Sequence, residues 1–159
     1  MSIFIFGYGS LINMPQNTEL TQPKKICPVI VSGLKRALNI SGPESKFRVF
    51  GVKNSKTHDC NGILFKVSEQ ELANLIKREQ LYKIKLLEKE RIDFAYKKTI
   101  AFKPADKIFC FFPQHNYVLP KNLLNSKPIS QKYLNICTEG AQRISEDFLR
   151  DFLSESVID

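Results

Sequence analysis

The chain contains no apolar run approaching the roughly 20 residues needed to span a bilayer. Nor does Met1-Ser-Ile-Phe4 carry the basic flank that precedes a secretory apolar segment. No membrane partner and a cytoplasmic location are therefore expected. Paired cysteine spacing of the kind that builds zinc sites is also missing, since Cys27, Cys60, Cys110 and Cys137 are widely dispersed. They read as reduced core or near-core thiols, with no metal and no cofactor. No internal repeat or low-complexity tract appears, so the punctuation of the chain comes from Pro, Gly and Asn. At 159 residues and 43% hydrophobic, the chain is the size of one domain, 1–159, able to bury a core without disulfides or metals.

Charge of one sign is in excess without being concentrated. The formal net charge is +8 with a pI near 9.4, yet basic residues run from Lys24 to Arg150 with acids interleaved. The densest stretch, Lys83 to Arg91, alternates with Ile84, Leu86 and Leu87, as a half-buried strand with a solvated lysine edge would. No nucleic-acid partner is expected, and a basic nucleic-acid-binding barrel stands as the minor alternative.

The punctuation by Pro, Gly and Asn cuts the chain mostly into strands. Ser2 to Phe6 is a first apolar strand. Met14 to Lys25 reads as irregular, and Cys27 to Ile40 as a long strand with a bulge or bend at Ser32-Gly33. Ser41 to Glu44 is a turn. Phe47 to Val52 and Gly62 to Val67 are further strands, separated by a polar turn from Lys53 to Asn61. Ser68 with Glu71 forms a capping-box pattern opening a helix to about Glu79 or Leu81. Lys83 to Phe102 alternates as two antiparallel strands, and Lys107 to Phe112 adds another before the proline-bounded loop from Pro113 to Pro128. From Ser130 the apolar residues Tyr133, Leu134, Cys137, Ala141, Ile144, Phe148, Phe152 and Leu153 recur at helical spacing, with a break expected at Gly140. The expected fold is α+β: a mostly antiparallel sheet curled into a small barrel, with two or three helices.

Two features carry chemistry. The first strand runs into Gly7-Tyr8-Gly9-Ser10-Leu11, where two glycines in three positions let backbone N–H groups approach a ligand closely. The loop is neither a dinucleotide nor a phosphate loop: the third glycine is missing, a helix does not follow, and no lysine sits where phosphate would need one. It is not a nucleophile elbow, because Ile12 replaces the second glycine around Ser10. Ser10 acting as a nucleophile with His58 or His115 is a minor alternative, and a plain tight turn is the bland one. The second feature is Glu79, seven residues after Leu72 on the helix face that carries Leu75 and Ile76, so that its carboxylate turns inward. A helix-end glutamate pairing with Lys77, Arg78 or Lys83 is the alternative.

Taken together, four segments resemble the γ-glutamylcyclotransferase-like superfamily. Ile5-Phe6-Gly7-Tyr8-Gly9-Ser10-Leu11 is similar to its amino-terminal Tyr-Gly-Ser loop, and Gly62 to Val67 to the strand before its helix. Arg78-Glu79 followed by Tyr82 resembles the catalytic-glutamate segment. Ile129 to Tyr133 through Gly140-Ala141 resembles the carboxy-terminal substrate tyrosine and helix. The resemblance implies a small-molecule γ-glutamyl substrate whose α-amine attacks its own γ-carbonyl, giving 5-oxoproline and a free amine. It makes Glu79 the general base and acid, with a pKa raised by burial against Leu75 and Ile76. Ile5 through Leu11 would form the substrate-binding loop, whose N–H groups serve the oxyanion or the α-carboxylate. Tyr133 would close the pocket, with Tyr82 and Tyr117 as further tyrosines or as core. Gln80-Leu81 stands where glutathione-specific relatives usually carry glycine, while Leu11 points toward the glutathione-type branch, so the leaving group stays open. The other reading within this fold is a protein that binds such a ligand without turnover. Oligomeric state is not legible.

Overall fold

The computed structural model describes residues 1–14, 17, 20 and 24–158. Most of the segment expected to be irregular, Met14 to Lys25, lies outside the described residues. The strands are β1 (Ile3–Gly7), β2 (Cys27–Ile40), β3 (Val49–Val67), β4 (Tyr82–Leu87), β5 (Ile92–Asp93), β6 (Lys107–Pro113) and β7 (Ser156–Val157). The helices are α1 (Glu69–Arg78), α2 (Gln131–Ile144) and α3 (Glu146–Glu155), with short 3-10 turns between elements. The strands form one curled sheet in the order β4-β6-β1-β3-β2-β5, and β7 pairs with β2. This sheet is not a closed barrel, because β4 and β5 end the path without pairing with each other. Nor is it wholly antiparallel: β1 lies parallel to β6, and β7 parallel to β2.

The β2–β3 hairpin is the frame on which the rest packs. Along β2, Leu34, Arg36, Leu38 and Ile40 are buried while Lys35, Ala37 and Asn39 between them are more exposed, the period of two that a strand covered on one face requires. The ladder shifts register between Ser32 and Leu34. Gly33 sits there at φ 71°, a left-handed conformation that a side chain would strain.

The polar stretch Lys53 to Asn61 is not a turn. It belongs to β3, with Asn54 opposite Leu34 and Asp59 opposite Ser32; β2 supplies ladder partners on both sides of the register shift, and residues 55–58 bulge from the ladder at that shift. The chain reverses instead between Ile40 and Val49. Lys83 to Phe102 likewise departs from the expected strand pair. Only Tyr82–Leu87 and Ile92–Asp93 are strands, the first on β6 and the second on β2. Phe94, Tyr96 and Phe102 pack against the core from irregular backbone, Phe102 edge-on to Phe4 with ring centroids 5.4 Å apart. Burial of aromatics, worth about 2–3 kcal/mol each, decides that segment more than alternation does.

Helix α1 begins as its sequence dictates. The Ser68 side chain accepts from the Glu71 N–H, the Glu71 carboxylate accepts from the Ser68 N–H, and Glu71 also meets Lys24 at 2.6 Å. The helix ends one residue before Glu79, which is its C-cap. In the carboxy-terminal region the break falls at Ser145, which caps α3, and not at Gly140. Gly140 stays helical and lies against the backbone of Ile12 and Asn13. Its role is close approach, not helix termination. No helix among the described residues is long and apolar enough to cross a membrane.

Candidate active site

Strand β1 is the middle of the sheet, and Ile5 and Phe6 are fully buried within it. Where β1 ends, the chain enters the 3-10 turn Ser10–Ile12, whose Leu11 and Ile12 are buried. This turn is braced from several sides. The Asn17 Nδ2 donates to the Leu11 carbonyl at 3.1 Å, Asn13 Nδ2 to the Ile136 carbonyl of α2 at 2.8 Å, and Arg78 Nη2 to the Ser10 Oγ at 3.4 Å. Arg78 also reaches Asn17 Oδ1 at 3.0 Å. Behind the turn, Arg36 Nη1 donates to the Tyr8 carbonyl at 3.2 Å.

Beside this turn lies a slot lined by Tyr8, Gly9, Ser10, Leu11, Phe50, Glu79, Tyr82, Phe111 and Tyr133. Seven of the ten residues expected from sequence are thereby brought to one place: Tyr8, Gly9, Ser10, Leu11, Glu79, Tyr82 and Tyr133. The other three, Ile5, Phe6 and Gly7, are β1 core residues that do not line the slot. They set the loop's position because β1 is held between β3 and β6. Tyr117 is not in the lining either; its carbonyl accepts from the Ser41 N–H. Neither His58 nor His115 lines the slot. Ser10 therefore has no histidine beside it to act as its base.

Glu79 reaches the slot because α1 stops there. Its backbone N–H closes the last helical turn onto Leu75, and its carbonyl accepts from the Tyr82 N–H. Its side chain retains 17% exposure, and Oε1 lies 3.8 Å from Arg78 Nε. The helix face that orients it consists of Leu72 and Leu75; Ile76 is 43% exposed and contributes no burial. Among the described residues lining the slot, Glu79 is the carboxylate.

The tyrosines serve the walls. Tyr8 donates its hydroxyl to the Phe111 carbonyl at 2.6 Å, and Tyr82 donates to the Phe50 carbonyl at 2.6 Å. Tyr133 accepts from the Phe50 N–H at 3.1 Å, and its ring lies 5.9 Å from that of Phe50. Burial pushes all three phenols well above their ordinary range, and for Tyr8 and Tyr82 the nearby Glu79 charge adds to the shift. They remain neutral hydroxyls across the physiological range. Two of the three protons, those of Tyr8 and Tyr82, are committed to backbone carbonyls.

The slot's cavity volume is about 30 Å³, room for little more than a water molecule. A γ-glutamyl group is larger, so binding one requires the walls to part. A second and roomier groove, about 400 Å³, lies across the sheet, since Lys83 and Lys85 of β4 alternate with Tyr82 and Ile84. It is lined by Lys35, Lys53, Lys83, Lys85 and His115 over Phe112 and Pro113, and carries no carboxylate.

No protein-family profile matches the sequence, and no curated protein matches it. Solved structures do. One named gamma-glutamyl cyclotransferase superposes with a TM-score of 0.71 at 14% identity, covering 100% of this chain and 90% of that one. The chain has the γ-glutamylcyclotransferase-like fold. The same fold is found in an uncharacterized human protein, with a TM-score of 0.72 at 15% identity over 99% of this chain and 90% of that one. A yeast protein described as a gamma-glutamyl cyclotransferase specific to glutathione matches at 14% identity, with a TM-score of 0.54 over 97% of this chain and 87% of that one. At these identities the likeness concerns the γ-glutamylcyclotransferase-like fold and not the reaction.

Sequence reading missed two parts of this region. Phe50 and Phe111, which both line the slot, read only as strand aromatics. Arg36 was passed over although it occupies an inward position of β2, and a lone arginine on an otherwise apolar alternating face is a visible signal.

Proposed function

We propose that this protein is a γ-glutamylcyclotransferase that cleaves a γ-glutamyl amine or peptide to 5-oxoproline and a free amine. One observation carries the reading: a single carboxylate, Glu79, shares a slot with the Tyr8-Gly9-Ser10 backbone. The substrate's α-ammonium must lose a proton before its nitrogen can attack, and Glu79 takes it. The new bond joins that nitrogen to the γ-carbonyl carbon, and the bond from that carbon to the departing nitrogen breaks. Once bonded to carbon, the attacking nitrogen sheds a second proton; as the carbon–nitrogen bond breaks, the leaving nitrogen takes up two, one returned by Glu79 and one through solvent, and departs as an ammonium, so charge and protons balance. No redox change occurs and no covalent enzyme intermediate is needed, because holding the γ-glutamyl chain folded already supplies much of the advantage of an intramolecular reaction.

Negative charge develops on the γ-carbonyl oxygen, and the backbone N–H groups of the loop residues Gly9 and Ser10, which line the slot with Glu79, serve as its donors. Tyr82 and Tyr133 fix the Phe50 wall against which the γ-glutamyl chain lies. The test is 5-oxoproline release by wild type and Glu79→Gln from a panel of γ-glutamyl amino acids, γ-glutamyl amines and glutathione. Wild type should release product, and Glu79→Gln should lose about 10²- to 10⁴-fold while melting at the same temperature within a few degrees. Equal rates would overturn Glu79 as the base. Ligand-induced stabilisation without product in either protein would replace turnover by binding alone.

A further inference from the structure

Arg36 is the largest side chain with no exposure, and it has no carboxylate among its hydrogen-bond acceptors. Its Nε donates to Ser156 Oγ at 2.8 Å, and Nη2 to Asn61 Oδ1 at 2.9 Å and to the Phe152 carbonyl at 3.2 Å. Nη1 donates to the Asn61 carbonyl at 2.6 Å and to the Tyr8 carbonyl at 3.2 Å, with Cys60 Sγ at 3.4 Å. The guanidinium lies 4.1 Å from the centroid of Phe152 and 5.9 Å from that of Phe50. Glu155, whose carboxylate accepts from the Asn61 N–H at 2.9 Å, is the nearby anionic group. A buried cation is costly to hold. A core position on β2 would be filled more cheaply by leucine, as at Leu34 and Leu38 on either side.

What distinguishes Arg36 from a structural plug is its bond to the Tyr8 carbonyl. Tyr8 begins the slot's loop, and its peptide with Gly9 is trans, as is every described peptide. In a planar trans peptide the C=O and the N–H point in opposite directions. Drawing the Tyr8 carbonyl back onto the guanidinium therefore turns the Gly9 N–H away from it. Gly9 itself lines the slot. A charge-assisted hydrogen bond to the carbonyl also polarises the peptide, making its N–H a stronger donor. We infer that Arg36 is a positioning residue: from behind the loop it fixes and polarises the Tyr8–Gly9 peptide, so that the Gly9 N–H is presented to the oxyanion of the reaction. This rests on the cyclotransferase reading for the identity of the anion, but the peptide's orientation does not.

The test uses Arg36→Lys and Arg36→Met, with Ile108→Ala as a control for lost stability. Ile108 is buried in β6 and makes no part of the slot. Lysine keeps the charge but cannot reach all the acceptors that the guanidinium fork bridges. With the best substrate, kcat should fall about 10- to 100-fold in Arg36→Lys with KM changed less than about threefold, because the interaction strengthens only as charge develops. Arg36→Met should fall further, and Ile108→Ala should melt lower with kcat unchanged. A lowered melting temperature with wild-type kcat in Arg36→Lys would overturn the inference. If wild type releases no 5-oxoproline, the cyclotransferase reading fails separately, and the peptide is then read by NMR. The Tyr8 carbonyl ¹³C and Gly9 amide ¹⁵N resonances should shift in Arg36→Lys and stay in place in Ile108→Ala. Unmoved resonances at both nuclei would overturn the positioning role whatever the activity.

Discussion

Replacing Gly140 by alanine should destabilise this protein, although alanine is the better helix former. In an open helix the change would gain about 1 kcal/mol. Here a Cβ at residue 140 would fall 2.7 Å from the Asn13 nitrogen, 2.8 Å from its Cα and 2.9 Å from the Ile12 carbonyl carbon. All three are backbone atoms, and Asn13 is further pinned by its bond to the Ile136 carbonyl and by Arg143 Nη1 at 2.7 Å. The clash cannot be relieved by a side-chain rotation, so α2 and the Ser10–Ile12 turn must separate. Overpacking costs about 1–3 kcal/mol in yielding cores, and the stiff backbone places this site at or above the upper end. Net of helix propensity, the loss should be about 2 kcal/mol or more, a melting-temperature drop of at least about 4–8 °C for a chain of this size. Differential scanning calorimetry of Gly140→Ala beside the exposed neighbour Glu139→Ala measures it. The displacement also moves the slot's loop relative to Tyr133, so turnover should fall further than the melting temperature alone explains. An unchanged or raised melting temperature would refute the close-approach account of Gly140.

Tyr82→Phe should leave the Phe50 carbonyl without its 2.6 Å donor and cost about 1–2 kcal/mol, seen as a lower melting temperature; a large rise in KM with no loss of stability would instead make the hydroxyl a substrate contact. Alkaline titration should show stability intact up to about pH 8, eroding first as the unfolded chain's thiols ionise, since burial raises Cys27, Cys60, Cys110 and Cys137 in the fold, and falling more steeply above about pH 10. Tyr8, Tyr82, Tyr96 and Tyr133 all have folded-state values raised above the ordinary tyrosine value. The unfolded chain therefore releases those protons first and is favoured as pH rises, which phenolate absorbance followed with circular dichroism will report. All four cysteines are buried and unpaired, with Cys60 pushed by burial to about 11 and Cys137 to about 12. A thiol reagent at pH 8 should leave them unmodified in the native protein and label all four after denaturation.

The local elements were legible wherever one residue type fixes a backbone geometry. The Ser68–Glu71 capping box starts α1, Gly33 marks the β2 bulge, and the loop after β1 forms a turn at its glycines. Errors arose where local composition competes with a distant partner. Lys53 to Asn61 is polar enough for a turn, but Lys53, Asn54 and Asp59 to Asn61 pair with β2, and only residues 55–58 stand out of the ladder where the register shifts. Gly140 looks like a helix break until the Asn13 backbone is placed against it.

The sequence by itself determined most of the strands and helices, the free thiols and the two chemical signals, Gly7 to Leu11 and Glu79. These follow from propensities and spacing that act within a few residues. Tertiary structure decided what those signals share. Residues 8–11, 50, 79, 82, 111 and 133 line one slot only because β1 lies centrally between β3 and β6, α1 ends at the slot, and α2 closes on the turn. It also decided that Arg36, one alternating position among many on β2, stands behind the Tyr8 carbonyl. Such convergence depends on strand order and sheet curl, which are set by how all the apolar faces pack at once and so cannot be read from any single segment.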